Sequence, residues 1–244
     1  MDLDKRMKLY EQADNKRILP YSRVMIRLDG KGFHNFCKQM GRPFDMKLIK
    51  SMRDLTVFLM KESGAKIGYT QSDEISLLLY SDTFESSIYF DGKTQKILSI
   101  LAAKASVFFN KIYTDGDPVF DCRIWTIPDE EIANYFVWRE QDAIRNSIQM
   151  AGQAKFSHKQ LHKKSCNDIQ DMLHEKGINW NDYPPECKRG SYFKKFQEDI
   201  AFSADEIEKL PKNHEARSNP DLVVTRGVIR EISSKIGKYV ANSI

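Results

Sequence analysis

At 244 residues, 41% hydrophobic and 30% charged, the chain is long enough for one large domain or a core with an appendage, and no apolar run approaches the width of a bilayer. A net charge of +4 is compatible with a nucleic-acid partner without demanding one. Cys37, Cys122, Cys166 and Cys187 are too scattered for a zinc site or a disulfide framework. The N-terminus is polar and unlike a secretory leader, which leaves the cytoplasm as the expected compartment.

Residues 22–28, SRVMIRL, predict a buried strand that ends at Asp29-Gly30. Residues 46–62 carry apolar side chains at helical spacing, and Ser63-Gly64 stops that helix. Two short apolar runs, 66–70 and 75–80, flank the polar Gln71-Ser72-Asp73-Glu74 and predict a hairpin. Residues 94–113 predict an amphipathic helix, 119–127 a strand between two prolines, and 130–150 another helix. Strand, helix, hairpin, helix, strand, helix is a ferredoxin-like split βαβ order, an α+β fold with an antiparallel sheet and helices on one face. Two basic helical stretches are expected at 154–164 and 165–176, followed by a polar, proline-containing region beyond Gly177. Residues 1–150 are therefore expected to form the catalytic core, and 151–244 a helical and irregular C-terminal appendage packed on it.

In such a sheet the first strand lies beside a hairpin strand, so Asp29 and the Asp73-Glu74 pair are expected at one edge. Carboxylates meeting there repel unless a cation lies between them. Hard oxygen donors suit Mg²⁺, and two such ions can clamp the attacking and leaving oxygens of a phosphoryl transfer. Asp-Gly and Ser-Asp are also ordinary turn residues. After Asp29, the loop Gly30-Lys31-Gly32-Phe33-His34 opens a helix; its glycines and amides suit the approach of a phosphate. Lys93 and Lys96 stand one turn apart at the start of the helix over 94–113, and Arg42 and Asp45 precede the helix over 46–62. Cations beside a metal–triphosphate site neutralise phosphates, although a solvated surface is the commoner place for a lysine. Lys155, Lys159, Lys163 and Lys164, with His158 and His162, form a basic face suited to an RNA backbone. The two histidines are also spaced for a metal, but no carboxylate accompanies them.

The segments IRLDGKGFHNF and GYTQSDEISLLL together resemble the tRNA(His) guanylyltransferase family and its Thg1-like 3′-to-5′ polymerase branch. WREQDAIRNS (138–147), HEKGINWNDYP (174–184) and KRGSYF (188–193) resemble three further blocks, so the likeness covers about residues 20–195. It implies a polymerase-palm fold, two Mg²⁺ held by Asp29, the Gly30 carbonyl and Asp73, and Glu74 assisting. It places Asp29 to His34 with Ser72 and Asp73 around a nucleoside triphosphate (GTP, ATP or another), and adds Arg42, Asp45, Lys93 and Lys96 as triphosphate contacts. It also implies a homotetramer acting on tRNA. Members that demand tRNA(His) carry HINNLYN after the tryptophan block. This chain has Ala143-Ile144-Arg145-Asn146-Ser147 there, with no histidine, and resembles the bacterial and phage-type members that restore missing 5′ nucleotides.

The expected function is therefore template-dependent 3′-to-5′ nucleotide addition to 5′-truncated tRNA. Strict addition of one guanylate to tRNA(His) is the alternative. A nucleotide cyclase fits less well, because Gln71-Ser72 stands where diguanylate-type cyclases carry Gly-Gly, and intact Asp29 and Asp73 argue against a non-catalytic RNA-binding module.

Overall fold

The computed structural model describes residues 1–13, 15–37, 41–113, 117–219 and 221–233. After a short exposed helix, α1 (Leu3–Gln12), the chain enters β1 (Val24–Lys31). Then follow α2 (Phe33–Phe36), α3 (Met46–Ser63), β2 (Ile67–Gln71), β3 (Glu74–Leu79), α4 (Thr94–Ile112), β4 (Val119–Thr126) and α5 (Asp129–Gln153). The C-terminal part contributes α6 (His158–Leu161), α7 (Cys166–His174), α8 (Pro185–Arg189), β5 (Ser191–Ala201), α9 (Ala204–Lys209) and β6 (Val223–Ile232).

The strands form one sheet in the order β4-β1-β3-β2-β5-β6, with every neighbouring pair antiparallel. The first four repeat the split βαβ order expected from the sequence. Strand alternation divides the core in two. Val24, Ile26 and Leu28 of β1, with Ile75, Leu77 and Leu79 of β3, pack against α3 and α4. Those helices answer with Leu48, Met52, Leu55 and Leu59, and with Ile97, Leu101, Ala105 and Phe109, at spacings of three and four that make one apolar stripe on each. Met25, Tyr69 and Leu78 point the other way and meet Ile132 and Phe136 of α5. Helices thus cover both faces, where one was expected. The signal lay in β1 itself: a strand apolar at consecutive positions is buried on both sides.

Strands beyond residue 150 were not expected either. β5 pairs with β2 from Ile67↔Lys194 to Thr70↔Ser191 and then runs on with β6 as a two-stranded ribbon. Its polar half, after Lys195, has only β6 as a strand neighbour, so no buried face imposed a period-2 pattern that the sequence would display. The sheet therefore draws on residues from both sides of position 150. The C-terminal half of α5 buries Ile148 and Ala151 against Ile169 and Leu173 of α7 and against Trp180.

The basic stretch also departs from expectation. α6 has only four residues, and Lys163 takes a left-handed backbone with φ 62°. Lys155, Lys159, Lys163 and Lys164 are all exposed, but on a folded connection between α5 and α7 rather than on one helical face. Each short helix here starts with its own capping box, Ser157/Gln160 and Ser165/Asp168, which ends one helical direction and begins another.

Candidate active site

Asp29 lies within β1, opposite Glu74 at the start of β3 and Asp121 on β4. Residues paired across antiparallel strands share a face, so three carboxylates form a row across three strands. Asp73 occupies the two-residue turn before Glu74, after Ser72, whose φ is 49°. The Gly30 amide donates to the Asp73 carbonyl at 3.2 Å, which ties the turn to β1. Burial, then the neighbouring charges of Asp29 and Glu74, raise the Asp73 carboxyl to about 6, against the hydrogen bond it receives from Ser72.

The loop after Asp29 is shaped by an aromatic anchor. A Cβ on Gly30 would stand 2.2 Å from the Phe33 ring, so glycine is what lets Phe33 fold under the strand. Phe33 packs at centroid distances of 5.8 Å from Phe109 and 5.2 Å from Phe120, joining the loop to α4 and β4. Lys31 and Gly32 are exposed. The backbone of His34 belongs to α2; its side chain lies outside the described residues.

Phe33, Arg42, Asp45, Leu48, Ser72, Asp73 and Met150 line one cavity of about 420 Å³. Five sequence candidates, from the loop, from the start of α3 and from the hairpin, therefore meet there. Asp45 is the N-cap of α3: its carboxylate accepts from the amides of Leu48 at 2.8 Å and Gly41 at 3.0 Å. That use, together with its negative charge, makes it a residue that orders the wall rather than a phosphate partner. Cys37 lines the same cavity, but burial, then Asp73 and Asp45, push its thiol to about 11, so it is no thiolate nucleophile at neutral pH.

Lys93 and Lys96 are not brought to this place. They stand at the N-terminal end of α4, where Lys93 bridges to Arg17 and Lys96 lies over Phe90. The site is at the other end, where Phe109 meets Phe33. At 1.5 Å rise per residue, Lys96 is about 20 Å along the helix from Phe109. Neither lysine is among the residues lining the cavity at Asp73, and their spacing on one face could not disclose which end of the helix that cavity would adjoin.

Glu74 is held by two arginines. Arg27 of β1 pairs with one carboxylate oxygen, and Arg139 of α5 with the other at 2.6 Å. Arg27 also reaches Asp29 at 3.4 Å. Arg139 pairs with Asp142 at 2.9 Å, and Asp142 with Arg145. The arginines were missed. Arg27 had one visible signal, a charge inside an otherwise apolar strand; Arg139 and Asp142 had only their place in the tryptophan block.

The motif blocks interlock around α5. Glu140 accepts from Arg189 at 3.1 Å and from the Tyr192 hydroxyl at 3.2 Å. The Tyr69 hydroxyl donates to the Arg189 carbonyl at 2.8 Å, and the Trp180 indole donates to the Ser147 hydroxyl at 3.2 Å. Ala143, Asn146 and Ser147 line a small pocket of about 60 Å³ that shares Asp45, Leu48, Ser72 and Met150 with the larger cavity.

The sequence model of the tRNA(His) guanylyltransferase (Thg1) family matches residues 4–128. The chain belongs to this family. A bacterial Thg1-like protein solved with ATP is 39% identical, covers 79% of this chain and 88% of its own, and superposes with a TM-score of 0.77. Another solved with GTP is 32% identical over 98% of this chain and 97% of its own, with a TM-score of 0.75. The tRNA(His) guanylyltransferase of Debaryomyces hansenii is 28% identical over 71% of this chain and 74% of its own length. Members are nucleotidyltransferases acting on tRNA, and this chain is an enzyme of that class. No helix among the described residues is long and apolar enough to cross a membrane.

Proposed function

We propose that this Thg1-family enzyme repairs tRNA by template-directed 3′-to-5′ addition of nucleotides to a truncated 5′ end. The observation that carries the reading is the proximity of Asp29, from β1, to Asp73, from the hairpin turn that the Gly30 amide ties to β1, with Asp73 lining the cavity that also holds Arg42 and Ser72. Among the described residues no group of three or more His, Cys, Asp or Glu side chains is arranged to hold a metal ion. The donor set fits Mg²⁺ nonetheless, because that ion keeps waters and shares its sphere with substrate phosphates. The upward displacement of the Asp73 carboxyl by burial and by its acidic neighbours is the electrostatic situation that a bound cation relieves.

Asp29, Asp73 and the Gly30 carbonyl would hold two Mg²⁺, which when bound would lower the pKa of the attacking hydroxyl and neutralise the triphosphate. The reacting groups are the 3′-hydroxyl of the incoming nucleotide and the phosphorus of an adenylylated or triphosphorylated 5′ end. Arg42 is an exposed cation lining the cavity, and Lys31 an exposed cation two residues after Asp29; both are suited to the triphosphate. Phe33, Leu48 and Met150 offer an apolar wall to a base. Lys155, Lys159, Lys163 and Lys164 extend from the C-terminal end of α5 as phosphate contacts for the RNA, and the working assembly is a homotetramer.

Selection by the template base is favoured over a demand for tRNA(His) because the segment 143–147, beside the cavity, lacks the histidine block. Its pocket-lining members Ala143, Asn146 and Ser147 carry no titratable side chain. The test is to change the base opposite the missing nucleotide in the acceptor stem and follow which triphosphate is incorporated. The added nucleotide should follow the opposing base. Addition of guanylate whatever base stands opposite, and only to tRNA(His), would establish the strict enzyme instead.

A further inference from the structure

Glu74 is chemically suited to hold a metal, and it adjoins Asp73, yet both its oxygens are occupied by guanidinium groups. Arg139 is the deeper partner. Its side chain is 4% exposed, its guanidinium lies 4.5 Å from the Trp138 ring centroid, and its remaining contact is Asp142 at 2.9 Å. A buried ion network is a poor source of stability, because desolvation offsets most of the attraction. This one joins three elements, β1 through Arg27, β3 through Glu74 and α5 through Arg139, and it stands directly behind the turn that presents Asp73.

That turn needs holding. Ser72 has a left-handed backbone at φ 49°, a conformation that residues with a Cβ seldom adopt. Glu74 is fixed from several sides: its carbonyl accepts from the Thr70 hydroxyl at 2.9 Å, its backbone lies in register with Asp29, and its carboxylate is gripped by the two arginines. We infer that Arg139, acting through Glu74, is a positioning residue that keeps the Ser72-Asp73 turn in its metal-holding geometry, and that Glu74 is itself no metal ligand. This rests on the assignment of Asp29 and Asp73 to the metals.

The test counts Mn²⁺ bound to the full chain by electron paramagnetic resonance, with a non-hydrolysable nucleoside triphosphate present, alongside nucleotide addition and thermal melting. Asp73→Asn should lose bound Mn²⁺. Glu74→Gln and Arg139→Lys should keep the wild-type number of ions, with an affinity lowered up to about tenfold. Their kcat should fall about tenfold to a hundredfold with little change in KM for the triphosphate, the cost of a carboxylate displaced by a fraction of an ångström to an ångström. Arg139→Met leaves one oxygen of the part-buried Glu74 carboxylate without its guanidinium partner, so adding Glu74→Gln to it should restore part of the lost melting temperature. If Glu74→Gln loses an ion as Asp73→Asn does, Glu74 is a ligand and the inference fails. It also fails if Glu74→Gln and Arg139→Lys lower only the melting temperature, leaving Mn²⁺ affinity and kcat at wild-type values. A wild-type chain that binds no Mn²⁺ would overturn the metal assignment itself and this inference with it.

Discussion

Replacing Gly190 by alanine should damage the protein far more than the same change at Gly177, although the two glycines share nearly the same φ, 76° and 73°. Gly190 joins α8 to β5 with ψ −171°, a region of backbone space essentially restricted to glycine, where another residue costs about 1–3 kcal/mol. A Cβ there would also stand 2.4 Å from the Thr70 carbonyl oxygen and 2.8 Å from the Tyr69 hydroxyl. The carbonyl belongs to the backbone of β2 and cannot swing aside. β5 must therefore retreat from β2 where Thr70 pairs with Ser191, weakening the bond from Tyr69 to the Arg189 carbonyl, which is worth about 1 kcal/mol. The loss should be about 3 kcal/mol or more, or about 6–12 °C in melting temperature for a chain of this size. At Gly177 nothing lies within 4 Å of the added Cβ, so only the left-handed backbone is penalised, by about 1 kcal/mol. Because Thr70 lies two residues before Ser72, Gly190→Ala should also reduce nucleotide addition below the melting transition. Thermal melts and single-turnover assays of both variants decide the matter. Equal drops in melting temperature would refute the argument that the β2–β5 contact, and not the glycine backbone alone, sets the cost.

Asp73→Asn should nearly abolish nucleotide addition while leaving the metal-free protein at least as stable at pH 7, because it removes a buried charge beside Asp29 and Glu74; a marked fall in melting temperature would show a structural role. The raised Asp73 carboxyl also fixes a pH dependence. Between about pH 4 and pH 6 the folded, metal-free protein holds a proton that the unfolded chain has lost, so this group's stabilising contribution disappears as pH rises through that window. Metal must displace the same proton, so Mn²⁺ affinity should rise by about tenfold per pH unit below about 6 and level off above it; a flat profile from pH 5 to pH 7 would remove Asp73 from the metal site. Replacing Lys159, Lys163 and Lys164 together by alanine should weaken tRNA binding and flatten its salt dependence, each lost phosphate contact lowering the log–log slope by about 0.7–0.9; an unaltered slope would mean that this connection does not touch RNA.

The elements legible in the sequence are those whose signal is local. The hydrophobic period of α3, α4 and α5, the run of β1 and the turn residues Gln71 to Glu74 each depend on side chains within a few positions of one another, and each appears in the structure within a few residues of its expected place. The carboxylates were legible for the same reason: Asp29 closes an apolar strand and Asp73 sits in a two-residue turn, and the split βαβ order brings strand and hairpin together. Arg42, Asp45 and Ser72 were named from motif likeness and share the cavity. Lys93 and Lys96, read from their one-turn spacing and from the same likeness, do not, because spacing along α4, a helix of 19 residues, says nothing about which of its two ends meets the cavity.

What only the tertiary structure decided depends on long-range register. β5 hides its strand character in a polar sequence, since half of it lies outside any core. The clamp on Glu74 joins residues 47 and 65 positions apart in the chain, and an isolated glutamate beside Asp73 reads as a ligand until two guanidinium groups are found on it. The sequence by itself showed which side chains are available, carboxylates at the end of an apolar strand and in a hairpin turn, cations nearby, and a split βαβ sheet to carry them. Which carboxylate pairs with guanidinium groups was decided by the packing of α5 across the sheet, because an ion pair exists only where folding has already brought its two charges together.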